Sequence, residues 1–367
     1  MRRRHVLRSK KAVILSRLWR ACSVSVAAGG ASRTQWRHAA STDVGVRAWR
    51  AARLVSGHVM FRRRALRRRL AAGGAPPMGD DLLRRLARAL DAGPGGAGCV
   101  PAAGLALPVA RALRFPGLRD LADLRRLPGC TDQHCCNPYH WSRLCEPGTC
   151  GSTSYCFLSS TEKGESTEDA RRTNHERLGT GSLATDGEER QTWETEWCRL
   201  AYWELTQRVG RQFGVRVRAV DVFGGGGGEC GSGRIGLCLD ALEHRADSPQ
   251  AEQVRKTRAK IGLGVTLSLE SDGVWLYNRS QEPVFVSSPA LDAAAAKALL
   301  VWRVAPGHCL CIFDPSCPPP AVTLPHIGPV DPRSVRISFA KGWGPKYSRR
   351  DVTACPCWLE VLLAPPS

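Results

Sequence analysis

The sequence has no uncharged apolar run of about 18 residues, the length needed to cross a membrane. Its longer charge-free segments, such as residues 97–110, are interrupted by glycine and proline. Nothing resembling a signal peptide precedes the 16 cysteines, because the apolar run 12–15 is short and is followed at once by Arg17. We therefore expect no membrane insertion, and we expect reduced thiols in an intracellular protein.

The residue patterns of an enzyme are also missing. No Ser/His/Asp, Cys/His or paired-carboxylate arrangement stands out. The glycine run 224–228 is not followed by the Gly-Lys-Ser/Thr of a phosphate-binding loop, so it predicts a flexible loop. We interpret the chain as non-catalytic.

Acidic residues are almost absent from residues 1–70, and this imbalance accounts for most of the net charge of +20. The segment holds 19 of the 53 Lys and Arg residues and a single acid, Asp43, so 34 bases face 32 acids in the remainder. A basic tail attracts polyanions or acts as an import signal. Residues 60–70 are a candidate nuclear-import segment, with a solvated helix start as the alternative, and a mitochondrial transit peptide is an alternative for residues 1–59.

The length of 367 residues and the hydrophobic content of 43% allow two packed domains with tails. We predict a basic, disordered extension over residues 1–79 and a small domain over 80–146. Residues 147–192 are rich in Ser, Thr, Glu, Gly and Arg and predict a linker. Residues 193–367 predict a β-rich domain.

Secondary structure follows from periodicity and turn residues. Alternating and apolar runs predict strands at 263–270, 274–278, 299–304, 309–313, 335–339 and 358–363. Helices are predicted at 251–261, stopped by Gly262, and at 289–299. In the small domain, Asp80 and Asp81 are expected to cap a helix whose leucines lie on one face.

The small domain contains the residue types of a structural zinc site. Cys99 is followed by Cys130, Cys135 and His140, with Cys136 as the alternative to its neighbour. Four nitrogen and sulfur ligands make a closed tetrahedral site, which stabilises a domain whose core is small. The spacing differs from that of a standard zinc finger, and buried structural thiols are the other interpretation.

Several segments, taken in order, resemble the SMAD family of signalling proteins. Residues 134–145, HCCNPYHWSRLC, resemble the end of the N-terminal MAD-homology domain in the form found in inhibitory SMADs. Five later segments resemble the C-terminal MAD-homology domain: WCRLAYWE (197–204), RVGR (208–211), DGVWLYNRS (272–280), SVRISFAKGWGPKYSRR (334–350) and CPCWLE (355–360). The resemblance covers residues 60–146 loosely and 193–367 closely.

The resemblance implies an α+β fold of two domains. The small N-terminal domain would hold one structural zinc ion through Cys99, Cys130, Cys135 and His140, and the C-terminal domain would be a β-sandwich with flanking helices, similar to FHA domains. Inhibitory SMADs are not enzymes. They antagonise BMP and TGF-β signalling by docking on activated type I receptors and competing with receptor-regulated and common SMADs, and they recruit E3 ubiquitin ligases. A protein of the nucleus and cytoplasm is therefore expected.

Two features depart from the family pattern. The Pro-Pro-x-Tyr motif used for ligase binding does not occur, so we do not expect ligase recruitment by that route. The DNA-binding hairpin of other SMADs would fall in residues 101–109, which contain no charged residue, whereas base recognition in a major groove needs Arg, Lys, Asn or Gln. Direct DNA binding by this segment is not expected. The alternative function is a DNA-binding transcriptional repressor or nuclear corepressor adaptor, with the basic tail contacting phosphates.

Four basic residues form the predicted partner-binding site, here called the basic groove: Lys256, Lys260, Lys341 and Arg349. Lys256 and Lys260 are four residues apart on the predicted helix and so share a face. In the family, this helix faces the loop 341–350, which would supply Lys341 and Arg349. A phosphorylated receptor segment suits such a groove, because phosphoserine carries about −1.5 to −2 charges and arginine can bind it bidentately. A solvated basic face is the alternative.

Overall fold

The computed structural model describes residues 63–96, 98–145, 195–224, 236–242, 250–291, 301–316, 323–324, 328–329, 331 and 333–365. The chain divides into two compact units, Met1–Leu66 and Arg67–Ser367, and the second contains nearly all the described residues. The predicted linker 147–192 and nearly all of the glycine run lie outside the described residues. None of the described helices is long and apolar enough to cross a membrane.

Fifteen strands are described in the second unit. Their bounds are β1 Leu124–Arg126, β2 Trp141–Leu144, β3 Cys198–Glu204, β4 Gln207–Val215, β5 Ala219–Phe223, β6 Gly236–Cys238, β7 Val265–Glu270, β8 Gly273–Asn278, β9 Val284–Ser287, β10 Trp302–Val304, β11 His308–Phe313, β12 Thr323–Leu324, β13 Gly328–Pro329, β14 Ser334–Phe339 and β15 Trp358–Leu363. A seven-stranded sheet has the order β1-β2-β11-β8-β7-β5-β6, and a six-stranded sheet has the order β10-β9-β14-β15-β3-β4. Strands β12 and β13 form a separate pair.

The two large sheets pack face to face around one apolar core. Leu267 and Leu276 come from the seven-stranded sheet, while Val286, Ile337 and Leu359 come from the six-stranded sheet, and all five are fully buried. Burial of large aliphatic side chains supplies the main stabilisation of such a sandwich. The prediction of a β-rich C-terminal domain is confirmed.

The hairpin between β7 and β8 follows directly from its turn residues. Glu270 pairs with Gly273, which leaves Ser271 and Asp272 as a two-residue loop. Gly273 has a φ of 136°, and a Cβ there would lie 2.3 Å from the carbonyl oxygen of Phe313. Only glycine fits this close approach of two backbones.

Four helices are described: α1 over residues 63–72, α2 Asp80–Gly96, α3 Ala106–Leu113 and α4 Ala251–Ile261. Helix α4 matches its prediction and ends at Gly262, whose φ is 53°. Its buried residues Val254, Thr257 and Ile261 recur at helical spacing and face the sandwich. For the helix predicted at 289–299, residues Pro289–Leu291 form a 3₁₀ turn and 292–299 lie outside the described residues.

Helical structure is present before the predicted boundary at residue 80. Residues 63–72 are helical, Leu70 is buried, and Arg69 Nη2 donates a hydrogen bond to the carbonyl of Leu113 at 3.2 Å. The prediction of a disordered extension is therefore wrong for residues 63–72, because a leucine among the arginines gives this segment an apolar face that packs.

A helix replaces the hairpin that the family resemblance implied for residues 101–109. Helix α3 begins at Ala106, buries Val109 and Ala110, and packs Ala110 with Phe115 and Trp141. Alanine and leucine favour a helix, and no β-branched run opposes it. Residues 106–109 therefore differ from the DNA-binding hairpin that other SMADs would have at this position.

Strands β1 and β2 join the same sheet as the C-terminal sandwich. Strand β2 pairs in parallel with β11, and Cys145 N donates to the carbonyl of Cys309 at 2.8 Å. Arg125 of β1 links the two segments through its guanidinium group. Its Nη2 lies 2.7 Å from Asp272 Oδ1, and its Nε lies 3.1 Å from Glu270 Oε2. The guanidinium also stacks 3.6 Å above the Trp275 ring. The residues predicted as a separate small domain thus share a sheet with the sandwich, while the boundaries 80–146 and 193–367 stay predictions.

Ten described cysteines are free, and the expectation that they are reduced in an intracellular protein stays a prediction. The expectation of reduced thiols is wrong for Cys238, which is disulfide-bonded. Cys355 and Cys357 are both fully buried and pack as small apolar side chains. The Cys355 sulfur lies 3.7 Å from the carbonyl of Lys341, beneath the loop 341–350, and the Cys357 sulfur lies 3.7 Å from the carbonyl of Val254 in helix α4.

Candidate metal centre and basic groove

Short backbone links bring the distant Cys99 beside the Cys130–His140 segment. Ala102 N donates to the carbonyl of His134 at 2.8 Å, and Cys136 N donates to the carbonyl of Val100, also at 2.8 Å. These two bonds place the chain after Cys99 alongside residues 134–136. The separation of 31 residues between Cys99 and Cys130 in sequence therefore closes in space.

Asn137 places His140. It is fully buried, its Nδ2 donates to the carbonyl of Gly98 at 2.9 Å, and its Oδ1 accepts from Tyr139 N at 3.0 Å. This side chain caps the 3₁₀ turn Pro138–His140, as asparagine often does. Trp141 then begins β2, with its Nε1 bound to the carbonyl of Cys135 at 2.9 Å. Sequence analysis missed Asn137, although an Asx residue before proline is a known turn signal.

The four predicted ligands converge. The ligand atoms of Cys99, Cys130, Cys135 and His140 all lie within 4.8 Å of one another. Cys99 Sγ is 3.8 Å from Cys130 Sγ, and His140 Nδ1 is 3.6 Å from Cys99 Sγ and 3.5 Å from Cys135 Sγ. Tetrahedral zinc with Zn–S near 2.3 Å and Zn–N near 2.05 Å requires about 3.8 Å between two sulfurs and about 3.6 Å between sulfur and nitrogen. The cluster could therefore hold a metal ion of this size.

The pKa values of two thiols in the cluster are shifted in opposite directions. Burial raises the pKa of the Cys130 thiol to about 12. Partial burial opposes ionisation of Cys99, yet hydrogen bonds with Thr131 and Cys130 lower its pKa overall. Cys136 lies outside the cluster of four, and burial raises its pKa to about 12. Cys135 is thus the member of the pair that the structure places among the ligands.

Both lysines of the basic groove on helix α4 are paired with carboxylates. Lys256 Nζ lies 3.3 Å from Glu252 Oε1, one turn earlier, and Lys260 Nζ lies 3.2 Å from Glu282 Oε1. The lysines remain largely accessible, with side chains 70% and 47% exposed. Exposed pairs of this kind are weak and exchange readily for a more highly charged partner. Sequence analysis did not anticipate these two acidic neighbours.

The loop 341–350 lies on an aromatic platform formed on the outer face of the six-stranded sheet. Trp343 is buried with Phe285 and Trp358, and Tyr347 packs edge-on against Phe285 at 5.6 Å. Gly344 N donates to the carbonyl of Arg349 at 2.8 Å, which closes the loop on itself. The apolar side chains hold the backbone in place, and Lys341 and Arg349 are left half-buried at its two ends.

A short turn at Glu282 and Pro283 contacts both helix α4 and the residue before the loop 341–350. Lys260 pairs with Glu282, and the carbonyl of the next residue, Pro283, accepts a 3.0 Å hydrogen bond from Ala340 N. Lys341 follows immediately. Lys260 and Lys341 therefore flank the same two-residue segment, and Lys256 lies one helical turn before Lys260.

Arg258 fixes helix α4 on the sandwich, a role that sequence analysis missed. Its Nη1 lies 2.8 Å from Glu204 Oε1, and the two side chains are only 11% and 9% exposed. Its Nη2 donates to the carbonyl of Leu239, and Tyr202 OH binds Glu204 Oε1 at 3.1 Å. The two lysines and two arginines of this helix cannot be told apart by sequence until the position of Glu204 is known.

Comparison with known proteins is consistent with this fold. Residues 195–364 match the MH2 domain. The chain is 40% identical over 281 residues to Mothers against decapentaplegic homolog 6 of Gallus gallus, covering 68% of this chain and 61% of that protein. It is 36% identical over 282 residues to Mothers against decapentaplegic homolog 7 of Homo sapiens, covering 70% and 63%. The chain therefore spans less than two thirds of the length of these relatives.

The solved structures add a weaker likeness. The IAD domain of interferon regulatory factor 9 aligns with 48% of this chain and 87% of its own, at 13% identity and a TM-score of 0.32.

The sandwich and the match over residues 195–364 identify an MH2 domain in this part of the chain, and members of the MH2-domain family are signalling adaptors and transcription modulators rather than enzymes. Within that class the chain resembles the inhibitory SMADs, as its motifs indicated. The sequence SVRISFAKGWGP of residues 334–345 is similar to that of Mothers against decapentaplegic homolog 6, in agreement with the 40% identity to that protein.

Proposed function

We propose that the chain is an inhibitory adaptor of BMP and TGF-β type signalling. It docks on activated type I receptors of the TGF-β superfamily and competes with receptor-regulated and common SMADs for that position. The similarity to Mothers against decapentaplegic homologs 6 and 7 supports the class of function. The observation that carries the docking surface is the placement of Lys260 and Lys341 on either side of the turn at Glu282 and Pro283.

The basic groove suits a phosphorylated peptide segment. A phosphoserine brings about two negative charges and three acceptor oxygens, so it outcompetes the single carboxylates of Glu252 and Glu282 for the lysines. Arg349, at the far end of the loop, adds a donor group that can bind two phosphate oxygens at once. The loop needs little reordering on binding, because Trp343 and Tyr347 already hold its backbone.

For the metal centre we propose one structural zinc ion held by Cys99, Cys130, Cys135 and His140. The distances in the cluster and the closed Cys₃His donor set support this assignment. When bound, the ion cross-links the segments around these residues and stabilises their fold. Through Asn137 and Trp141 the chain orients His140 and continues from the cluster into β2.

Charge reversal in the basic groove tests the receptor proposal. In the full chain, Lys341→Glu and Arg349→Glu are each expected to weaken binding to a phosphorylated type I receptor cytoplasmic domain by at least about tenfold, because a charge-assisted hydrogen bond is lost and repulsion is added. The control is Arg88→Glu, an exposed arginine on helix α2, which should leave the affinity within about twofold. If both groove variants bind normally while melting at the wild-type temperature, receptor docking must use another surface.

A DNA-binding transcriptional repressor or corepressor adaptor is the second candidate, favoured by the 19 Lys and Arg residues of segment 1–70. Under our proposal, this segment supplies only phosphate contacts, so affinity for duplex DNA should fall steeply with salt and show no sequence preference. The measurement compares specific and random duplexes in a salt series, with and without residues 1–70. A sequence preference that survives removal of the segment would favour the second candidate. Location in both nucleus and cytoplasm fits either function and is proposed here.

A further inference from the structure

A group of cationic side chains lies where β11 begins beside β2. We call Arg114, Arg143 and His308 the junction cluster. His308 and Arg143 are direct partners on the parallel strands, and Arg143 N donates to the carbonyl of Gly307 at 3.0 Å. Arg114 Nη2 lies so close to Gly307 that a Cβ there would be 2.4 Å from it. The Phe115 ring meets the His308 ring edge-on at 5.8 Å.

Arg114 carries a largely buried positive charge without a carboxylate. Its Nη1 donates to the carbonyls of Pro138 at 2.9 Å and Trp141 at 2.7 Å, and its guanidinium lies 5.0 Å from the Phe115 ring centre. Among the described residues, its partners are carbonyls and aromatic rings only. Burial lowers the pKa of Arg114 to about 10, so it stays protonated near neutral pH. Its charge is hydrogen-bonded but not neutralised.

Arg143 adds a second uncompensated charge. Within the part of the chain that the structure describes, its guanidinium has no hydrogen bond or ion pair, although the residue is half-buried. Burial lowers the pKa of His308, and Arg143, Arg114 and Arg303 lower it further by repulsion. Three arginines thus act on one imidazole.

Such a concentration of positive charge is unfavourable unless an anion joins it. Partly buried charges are stable when they are paired and hydrogen-bonded, and guanidinium groups match the oxygens of a phosphoryl group in a bidentate manner. We propose that the junction cluster is a binding site for a phosphoryl group, as inorganic phosphate or a phosphorylated side chain. Arg143 supplies free donors, Arg114 supplies fixed positive charge, and His308 donates once protonated.

This site is independent of the receptor proposal. It uses no residue of the basic groove and no ligand of the metal centre, and it is built from both β2 of the N-terminal region and β11 of the sandwich. An anion bound there would join the two segments by a further charged contact. Its position therefore predicts a ligand that also stabilises the β2–β11 pairing.

The test follows the His308 ring by NMR in the full chain, with His308→Gln used to assign it among the nine histidines. Inorganic phosphate is titrated at constant ionic strength, and phosphoserine amide is titrated in parallel with serine amide. Either phosphoryl probe should move the His308 signal saturably, and comparison of the two distinguishes the source. Arg143→Gln should weaken the response at least about tenfold, since one charge-assisted contact is lost. The fold should survive, because this guanidinium makes no hydrogen bond or ion pair with the described residues.

Two matched controls locate the effect. Arg119→Gln removes one exposed arginine near helix α3, and Lys341→Gln removes one charge of the basic groove; both should leave the His308 response within about twofold of wild type. The proposal is overturned if the His308 signal does not respond to either probe, or if chloride alone reproduces its movement. It is equally overturned if Arg143→Gln and Arg119→Gln titrate alike.

Discussion

Replacing Cys130 or His140 with alanine is expected to abolish binding of one zinc ion per chain and to unfold residues 98–145. The four ligand atoms lie within 4.8 Å, so removing one leaves an incomplete site. Structural zinc contributes apparent binding energies of about 10–16 kcal/mol in zinc-finger peptides, far more than the small core around Phe115, Leu118 and Trp141 can replace. Metal content of the purified full chain and amide hydrogen exchange of residues 98–145 measure the two effects.

Cys136→Ala is the matched control for this experiment. Cys136 is a buried cysteine next to Cys135, but its sulfur lies outside the ligand cluster. It should retain a full zinc load and lose only packing, about 1 kcal/mol for one buried sulfur. Full zinc content in both Cys130→Ala and His140→Ala would contradict the assignment. Zinc retained in Cys135→Ala but lost in Cys136→Ala would exchange the roles of the two neighbours.

Glu204→Ala is expected to lower the free energy of unfolding of the sandwich by about 3–5 kcal/mol, because Arg258 would remain buried without a counter-charge. Glu204 accepts hydrogen bonds from both Arg258 and Tyr202, and its side chain is only 9% exposed. Arg258 anchors helix α4, so loosening of this helix should also disturb Lys256 and Lys260. Urea unfolding followed by tryptophan fluorescence measures the change in stability.

Two further variants separate the buried pair from charge in general. Glu252→Ala removes an exposed carboxylate paired with Arg255 and Lys256 on the same helix, and should leave the free energy of unfolding essentially unchanged. The double variant Glu204→Leu with Arg258→Met removes both buried charges and should recover most of the stability lost in Glu204→Ala. A double variant no more stable than Glu204→Ala would show that hydrogen bonds to Tyr202 and Leu239, rather than the unpaired charge, dominate.

Sequence signals predicted the elements whose ends are set by neighbouring residues, such as turn residues and helix-ending glycines. The hairpin of β7 and β8 follows from Ser271-Asp272-Gly273 between two apolar runs, and helix α4 ends at the glycine that stops it. The convergence of Cys99 with Cys130 and Cys135 depended on the family resemblance, because a gap of 31 residues has no local signature. Periodicity located the strands of the sandwich but gave no order within the sheets.

Contacts between distant segments account for what the sequence did not predict. The parallel pairing of β2 with β11 joins residues more than 160 positions apart, and no pattern in either segment specifies the other. In the sequence nothing distinguishes Arg125 from the other basic residues, and only the fold places it beside Glu270, Asp272 and Trp275. The same holds for Arg258, whose carboxylate partner lies 54 residues earlier. Long-range charge pairing becomes visible only in the folded chain.

Binding of the full chain to a type I receptor cytoplasmic domain, compared in its phosphorylated and unphosphorylated forms, tests the central claim most directly. The basic groove predicts that the phosphorylated receptor binds at least about tenfold more tightly, because each phosphate brings about two charges to four basic side chains. That preference should shrink as salt screens the charges, and it should be lost in Lys341→Glu. Equal affinity for the two receptor forms, unaffected by salt and by Lys341→Glu, would contradict the account.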